Sequence, residues 1–223
     1  MTNLQFSPKR VNPFSDVLVG TSATWTEQCN MPVVAQFGMK DLEIAARLGL
    51  IDLSWRLRTG CKGPGSASWL EAAGIPVPAQ PNTFIQTQEG AVILRLGRNE
   101  FLIEDVADGL LSRQLNETPV PAGAYPVLRQ DAELMLVGSQ MNELLLQTCS
   151  FDFAGIEDAA SPALMTTMVG VGITAIQVPA PRKLEGHALR IWFDSSYANY
   201  MWSTLCEIAG ELGGGPVGIA VLN

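Results

Sequence analysis

The sequence predicts an α+β fold in which two similar halves pack against each other. Of the 223 residues, 47% are hydrophobic and 16% are charged, which is the composition of a packed globular protein. The element order β-α-β-β-β-α is predicted twice along the chain. Glycine-containing breaks follow the first strand of each half at Gly63 and Gly138, 75 residues apart. An internal duplication accounts for this spacing better than chance, and neither half is long enough to form a sufficient core alone.

The first half is predicted to span residues 1–116. An apolar stripe predicts a helix over residues 40–48 that ends at Gly49, and alternating polarity predicts a strand over residues 50–55. Ser66 is predicted to cap the next helix. The remaining predicted elements are a strand over 57–62, a helix over 67–73, a hairpin of 83–87 and 91–96, a strand over 101–104 and a helix over 105–115.

The second half, residues 127–223, repeats this order after a linker over residues 117–126. The linker contains three prolines, which lack an N–H group, so it is not expected to join a helix or a central strand. Asp194 or Ser195 is predicted to cap the last helix, which runs to about residue 212. The other predicted elements are strands over 132–137, 164–170, 171–178 and 187–193, and a helix over 140–148.

Charge and composition exclude several classes of partner. The formal net charge is −8, and the basic residues occur in pairs such as Lys9-Arg10 rather than in a patch, so nucleic acid is not expected as a partner. No apolar run is long enough to span a membrane, and the first 12 residues do not have the pattern of a secretory signal, so we expect a cytoplasmic protein. The four cysteines form no C-x-x-C pair and there is one histidine, so no metal centre is expected.

Three segments resemble the glycine-cleavage T-protein, a folate-binding aminomethyltransferase. They are Met31-Pro32-Val33 followed by Glu43 and GLIDLS at 49–54, CKGPGSA at 61–67 followed by Trp69-Leu70, and LRIWF at 189–193 followed by residues 194–202. The resemblance implies the T-protein fold of two β-α-β-β-β-α halves, here without the C-terminal barrel domain. In length and in the segment SSYANYMW at 195–202, the chain is similar to the γ subunit of heterotetrameric sarcosine oxidase.

The same resemblance implies a site that has lost its catalytic groups. T-proteins carry an aspartate pair after the glycine of the first hairpin, but the matching place after Gly90 is the apolar segment 91–94, so no catalytic residue is expected. Glu185 takes the place of a glutamate that contacts the pterin. Arg182, with Lys183, is a candidate to bind the glutamyl tail of folate. His187 comes directly after this loop and is the third candidate folate-binding residue. The alternatives are an exposed loop carboxylate, a solvated cation pair and a structural histidine.

The resulting hypothesis is a non-catalytic γ-like subunit of a folate-linked, sarcosine-type amine oxidase or demethylase complex in one-carbon metabolism. Its expected partners are flavin- and folate-binding subunits, and tetrahydrofolate is a possible ligand that this chain alone would not hold firmly. The alternatives are a stand-alone tetrahydrofolate-dependent aminomethyltransferase and a folate-binding module. An acidic cluster lining a pocket between the halves would contradict the non-catalytic hypothesis. Trp192 and Trp202 are expected in the core or at an interface.

Overall fold

The computed structural model describes residues 9–105, 109–153, 155–156 and 161–223. Its helices are α1 Ser15–Leu18, α2 Asp41–Leu48, α3 Ser66–Ala72, α4 Leu110–Glu117, α5 Met141–Thr148 and α6 Ala198–Glu211, with 3-10 helices at Ser195–Tyr197 and Ile219–Leu222. Its strands are β1 Thr24–Gln28, β2 Met31–Gln36, β3 Gly49–Asp52, β4 Arg58–Lys62, β5 Thr83–Gln86, β6 Val92–Arg95, β7 Glu100–Glu104, β8 Tyr125–Val127, β9 Ala132–Val137, β10 Leu164–Met168, β11 Val171–Pro179, β12 His187–Phe193 and β13 Gly215–Pro216. The predicted α+β class is confirmed.

Two large sheets form the centre of the molecule. The six-stranded sheet has the order β10-β11-β12-β9-β3-β13 and the five-stranded sheet has the order β5-β6-β7-β4-β8, while β1 and β2 form a separate hairpin. Neighbouring strands are antiparallel, except that β13 runs parallel to β3. Each sheet contains a set of four strands that are consecutive in the chain, β4 to β7 in one and β9 to β12 in the other. In each set the first strand pairs with the last, which gives the orders β5-β6-β7-β4 and β10-β11-β12-β9. A helix follows the first and the last strand of each set.

The two sheets exchange strands. β3 precedes β4 in the chain but pairs with β9 of the six-stranded sheet, where Leu50 lies opposite Leu136. β8 precedes β9 but pairs with β4 of the five-stranded sheet, where Pro126 lies opposite Cys61. The chain therefore passes from one sheet to the other between β3 and β4 and again between β8 and β9, which interlocks the two parts of the fold.

The core has three apolar layers between four layers of secondary structure. Helices α1, α5 and α6 cover the outer face of the six-stranded sheet, and α3 and α4 cover the outer face of the five-stranded sheet. Between the sheets lies a third cluster that includes Val92, Leu94, Leu102, Met135, Ile176, Val178 and Trp192. Trp192 and Trp202 are 2% and 6% exposed, so both belong to the core of this chain rather than to an exposed face.

Several predicted element limits differ from the structure for local reasons. Ser66 lies inside α3, whose N-cap is Gly65, so the predicted serine cap is wrong. The predicted strand over residues 50–55 ends at Asp52, and the helix predicted from residue 105 begins at Leu110, residues 106–108 lying outside the described part. Asp194 caps the 3-10 helix Ser195–Tyr197 that leads into α6, because its carboxylate accepts from the Ser196 N–H at 2.9 Å, whereas the N-cap of α6 itself is Tyr197.

The predicted linker contains a strand. β8 has only β4 as a neighbour, so it is an edge strand. Pro126 lies in β8 and has no N–H to donate, which an edge position tolerates. The expectation that this segment would not form a central strand is thus confirmed, but the structure places it in a sheet.

Candidate functional site

The candidate folate residues lie on the loop that joins β11 to β12. The Ala180 N–H donates to the Gly186 carbonyl at 3.0 Å and the Leu184 N–H donates to the Pro181 carbonyl at 2.8 Å, which closes the loop on itself. Arg182, Glu185 and His187 on or beside this loop are all exposed. The loop therefore presents polar side chains to solvent next to the first residue of β12.

Glu185 and His187 line one cleft of about 690 Å³. The other side of the cleft is formed by the break between β9 and α5 and by the start of α5. Lys183 lines the cleft as well, whereas Arg182 does not. The structure therefore brings together two of the three sequence-predicted residues. The full lining is Ala46, Gly138, Ser139, Met141, Asn142, Phe153, Ile156, Gln177, Lys183, Leu184, Glu185, Gly186 and His187.

This cleft carries side chains that can bind a polar ligand. Lys183 supplies a cation, Glu185 a carboxylate and Gln177 an amide, so the cleft can hydrogen-bond a polar ligand in both directions. Neither a cysteine nor a metal-binding group of side chains lies among the lining residues, and the described residues contain no cluster of three or more metal-ligating side chains.

A network of buried charges lies between the two sheets. We call Arg58, Glu104, Glu133 and Arg190 the central ion cluster; they come from β4, β7, β9 and β12, and their side chains are at most 3% exposed. The Nε group of Arg58 donates to Oε2 of Glu104 at 3.1 Å, and that of Arg190 donates to Oε1 of Glu133 at 2.8 Å. Arg58 also pairs with Glu133 and Arg190 with Glu104, so each arginine bridges both glutamates.

Further donors surround Glu104. Arg56 Nη1 lies 3.3 Å from Oε1 of Glu104, and Trp192 Nε1 donates to Oε2 at 3.2 Å. The guanidinium of Arg190 also lies 5.0 Å from the centre of the Trp192 ring, within cation–π distance. Glu104 is therefore contacted by three arginines and an indole N–H.

The surroundings of the two glutamates shift their pKa values in opposite directions. Burial alone would raise the pKa of Glu104, but the charges of Arg190 and Arg58 outweigh burial and hold this pKa below its usual range. Burial, reinforced by the nearby Glu104 carboxylate, raises the pKa of Glu133 to about 8 against the opposing effect of Arg190 and Arg58. The cluster thus favours one ionised and one protonated glutamate at neutral pH.

These glutamates border neither of two large cavities that the described residues form. Both have fully buried side chains, and neither borders the cleft of Glu185 nor a second groove of about 620 Å³ that Arg58 borders. The acidic groups between the sheets are engaged by arginines of the same chain. No motif in the sequence marks this cluster. One signal was available, because Arg58 and Glu133 are separated by the same 75 residues as Gly63 and Gly138.

The place expected to carry the transferase aspartates is part of the core. Ala91, Val92, Ile93 and Leu94 are at most 1% exposed, and Val92 and Leu94 pack in the apolar cluster between the sheets. Val92 lies opposite Glu104 in the pairing of β6 with β7. This segment offers no side chain that could bind or move a proton.

Comparison with known proteins assigns the fold. The chain shares its fold with two solved structures, an aminomethyltransferase and a chain of a sarcosine oxidase. Glycine cleavage system aminomethyltransferase T from Bartonella henselae superimposes with a TM-score of 0.70 at 14% identity, over 96% of this chain and 61% of that one. This chain therefore spans 61% of the length of the aminomethyltransferase.

A second solved structure matches over nearly the whole length of both chains. It is a chain of the heterotetrameric sarcosine oxidase from Corynebacterium sp. U-96, in complex with pyrrole 2-carboxylate. It superimposes with a TM-score of 0.67 at 17% identity, over 92% of this chain and 97% of that one. No protein-family model and no curated protein matches by sequence. Among the described residues, no helix is long and apolar enough to cross a membrane.

Proposed function

We propose that this chain is a non-catalytic, γ-like subunit of a folate-linked amine oxidase or demethylase complex of the sarcosine type, acting in one-carbon metabolism. The observation that carries the proposal is the buried apolar segment Ala91–Leu94, at the place where the resemblance puts the carboxylates of a working transferase. Proton transfer in such a transferase needs an ionisable group within hydrogen-bond reach of the reacting atoms. An alanine, a valine, an isoleucine and a leucine provide none.

The central ion cluster supports the same proposal. Each of its two glutamates is held by arginines of the same chain, and both are removed from solvent. Using either glutamate to bind a pterin would require breaking its buried contacts with arginines, which is costly because the arginine charges would lose a partner in a medium of low dielectric constant. The space between the sheets therefore favours a structural role over a ligand-binding one.

We also infer that the two halves arose by duplication. Three observations support this inference. Both sheets contain four consecutive strands whose first member lies beside the last, and the strand before each set, β3 or β8, pairs with the other sheet. Arg58 and Glu133 also occupy corresponding positions in the two sets. A duplicated scaffold can keep its shape after its acidic groups are lost, because shape depends on the apolar layers and on strand pairing.

Flavin- and folate-binding subunits of a cytoplasmic hetero-oligomer are the proposed partners. The support is the match to a chain of a heterotetrameric oxidase over 97% of that chain. Large apolar side chains with high exposure are consistent with surfaces that partners cover, among them Met39 and Leu146 at 99% and 70%.

The proposal predicts that a flavoprotein co-purifies in a fixed stoichiometry with the affinity-tagged chain when the chain is isolated from its native cells under mild conditions. The measurement is the flavin absorbance of the eluted complex with its subunit ratio, before and after a salt wash that removes weak contacts. Titration of the isolated chain with tetrahydrofolate, followed by calorimetry and thermal shift, should give no saturable signal. A lone chain that binds tetrahydrofolate and transfers a one-carbon unit would overturn the proposal.

One observation favours the alternative of a folate-binding module or a stand-alone aminomethyltransferase. The cleft of about 690 Å³ is large enough for a pterin and carries Glu185, Lys183 and His187. If the alternative holds, tetrahydrofolate stabilises the isolated chain, and Glu185→Gln weakens this effect while Glu211→Gln, a change at an exposed residue of α6, does not. Equal behaviour of the two variants would remove Glu185 from the site.

A further inference from the structure

A second groove of about 620 Å³ lies where the chain crosses between the sheets. The segments joining β3 to β4 and β8 to β9 form two of its sides, and the residues before α1 form a third. Its charged lining consists of Arg10, Arg58, Arg129 and Asp131. A chain with a formal net charge of −8 thus places three arginines and one aspartate around a single groove.

Two of the arginines retain capacity to bind a ligand. The Arg10 guanidinium contacts the backbone carbonyls of Ser54, Trp55 and Arg56, and within the described part of the chain it meets no carboxylate. Arg129 Nη2 pairs with Glu100 at 2.6 Å, while its Nε group is buried without a hydrogen-bond partner among the described residues. The Arg129 Nη1 group and the N–H groups of Arg10 that these carbonyls do not use are therefore the donors left for an anionic group in the groove.

Asp131 supplies the opposite charge. Its carboxylate oxygen Oδ2 is buried and accepts from no described donor, while its backbone carbonyl is held by Arg58 Nη1 at 3.1 Å. The fixed backbone keeps this carboxylate at the groove, two residues from Arg129. Buried polar atoms are costly when they lack partners, and this carboxylate lines the same groove as Arg10 and Arg129. The groove therefore suits a ligand that carries both a cation and an anion.

The edge of the groove is apolar and open. Val11 and Leu128 line it and are 79% and 81% exposed, with Pro13 and Leu57 beside them. The groove thus combines an anion-binding part, a cation-binding part and an apolar part within a volume typical of small-molecule sites.

We propose that this groove binds a free α-amino acid with an apolar side chain. The ligand carboxylate accepts from Arg10 and Arg129, the ligand ammonium group donates to Asp131, and the side chain covers Val11 and Leu128. Arg58 is excluded as a direct contact because its N–H groups are already given to Glu104, Glu133 and three backbone carbonyls. This site is separate from the cleft of Glu185, and it stands or falls independently of the proposed subunit role.

The test compares L-leucine with two fragments of it on the full-length chain. L-Leucine should raise the melting temperature saturably, whereas 4-methylpentanoate, which lacks the ammonium group, and 3-methylbutylamine, which lacks the carboxylate, should each bind about 10-fold more weakly or worse. Calorimetry with the same three compounds gives the affinities. Failure of L-leucine to bind, or equal binding of all three compounds, overturns the proposal.

Variants assign the contacts. Asp131→Asn should weaken L-leucine by about 10-fold and reduce its advantage over 4-methylpentanoate, because the amide cannot neutralise the ammonium group. Arg10→Gln should weaken L-leucine and 4-methylpentanoate together. Arg98→Gln, at an exposed residue between β6 and β7 that does not line the groove, is the matched control and should change neither. If Asp131→Asn does not fold, the Arg10→Gln variant alone tests the site. L-Leucine binding that is unchanged in Arg10→Gln overturns the proposal.

Discussion

Glu104 and Glu133 lie in the same buried cluster but in different electrostatic surroundings. Three arginines and the Trp192 N–H contact Glu104, whose low pKa keeps it ionised. We expect Glu104→Gln to lower the free energy of unfolding by about 3–5 kcal/mol, since it leaves buried arginines without their anion. Glu133→Gln should cost much less, because a glutamine resembles the protonated acid. Denaturant unfolding at neutral pH measures both, with the exposed Glu211→Gln as a control expected to change little. Equal losses at positions 104 and 133 would contradict this assignment.

The raised pKa of Glu133 also predicts the pH dependence of stability. From the ordinary glutamate pKa near 4.3 up to about 8, the folded protein holds a proton on Glu133 that the unfolded chain has released. The stability from this proton is therefore present at low pH and is lost as the pH rises through this window, by up to about 1.4 kcal/mol per pH unit. Glu104 acts in the opposite sense, and its stabilisation is lost as the pH falls below the ordinary pKa. Denaturant unfolding across the pH range should show a flatter profile for Glu133→Gln; a profile parallel to that of the unaltered protein would count against the raised pKa.

Sequence patterns identified some residues of the cleft but none of the central ion cluster. Glu185 and His187 are near in sequence, so their arrival at one cleft follows from a single loop. The central ion cluster was missed because its members come from four strands that are far apart in the chain. Only the register of β4 with β7 and of β9 with β12, and the packing of one sheet on the other, brings them together.

At the scale of elements, the break between β9 and α5 depends on a glycine. Gly138 has φ +115°, and a Cβ atom there would come within 2.6 Å of the Arg47 carbonyl oxygen and 2.5 Å of that of Ala45. Gly138→Ala should cost about 3 kcal/mol or more, because it adds a backbone clash to the strain of a positive φ. Gly90→Ala is the matched control: its φ is +96° and nothing lies within 4 Å, so only the strain of about 1–2 kcal/mol applies. Thermal or denaturant unfolding compares them, and a Gly138→Ala variant no less stable than Gly90→Ala would show that the backbone there can shift.

Elements with strong periodicity were predicted well, and those held by tertiary contacts were not. The limits of β9 and β12 agree with the sequence pattern because both strands are almost wholly buried and are followed by a clear turn or cap. By contrast, α1, β1, β2 and β13 were not predicted. β13 has two residues and α1 has four, too few for a periodic signal. The Asp41 carboxylate accepts from the N–H of Gly218 at 2.9 Å, a contact between distant residues that no local pattern reveals.

At the scale of the whole molecule, the exchange of β3 and β8 makes the two halves depend on each other. A chain cut between Val120 and Pro121 would give two fragments, residues 1–120 and 121–223. Val120 is 51% exposed, so the cut lies at the surface. Without the first fragment, β9 loses its pairing with β3, and without the second, β4 loses its pairing with β8. Each fragment would also expose one side of the apolar cluster between the sheets. It would keep one ion pair of the central ion cluster, Arg58–Glu104 or Arg190–Glu133, but would expose it to solvent and lose the Arg58–Glu133 and Arg190–Glu104 pairs.

We therefore expect neither fragment to fold alone and the mixture to assemble one-to-one. Each isolated fragment should lack a cooperative unfolding transition, whereas co-expressed fragments should co-purify and unfold together. The physical reason is that burial of both the apolar layer and the charges requires both sheets, so their stabilisation is gained in a single step. Circular dichroism and denaturant titration of each fragment and of the complex give the measurement, with the uncut chain as reference. A cooperative unfolding transition in either fragment alone would contradict this expectation. It would mean that the sheet of that fragment is stable without the exchanged strand and that the halves associate as independently folded domains.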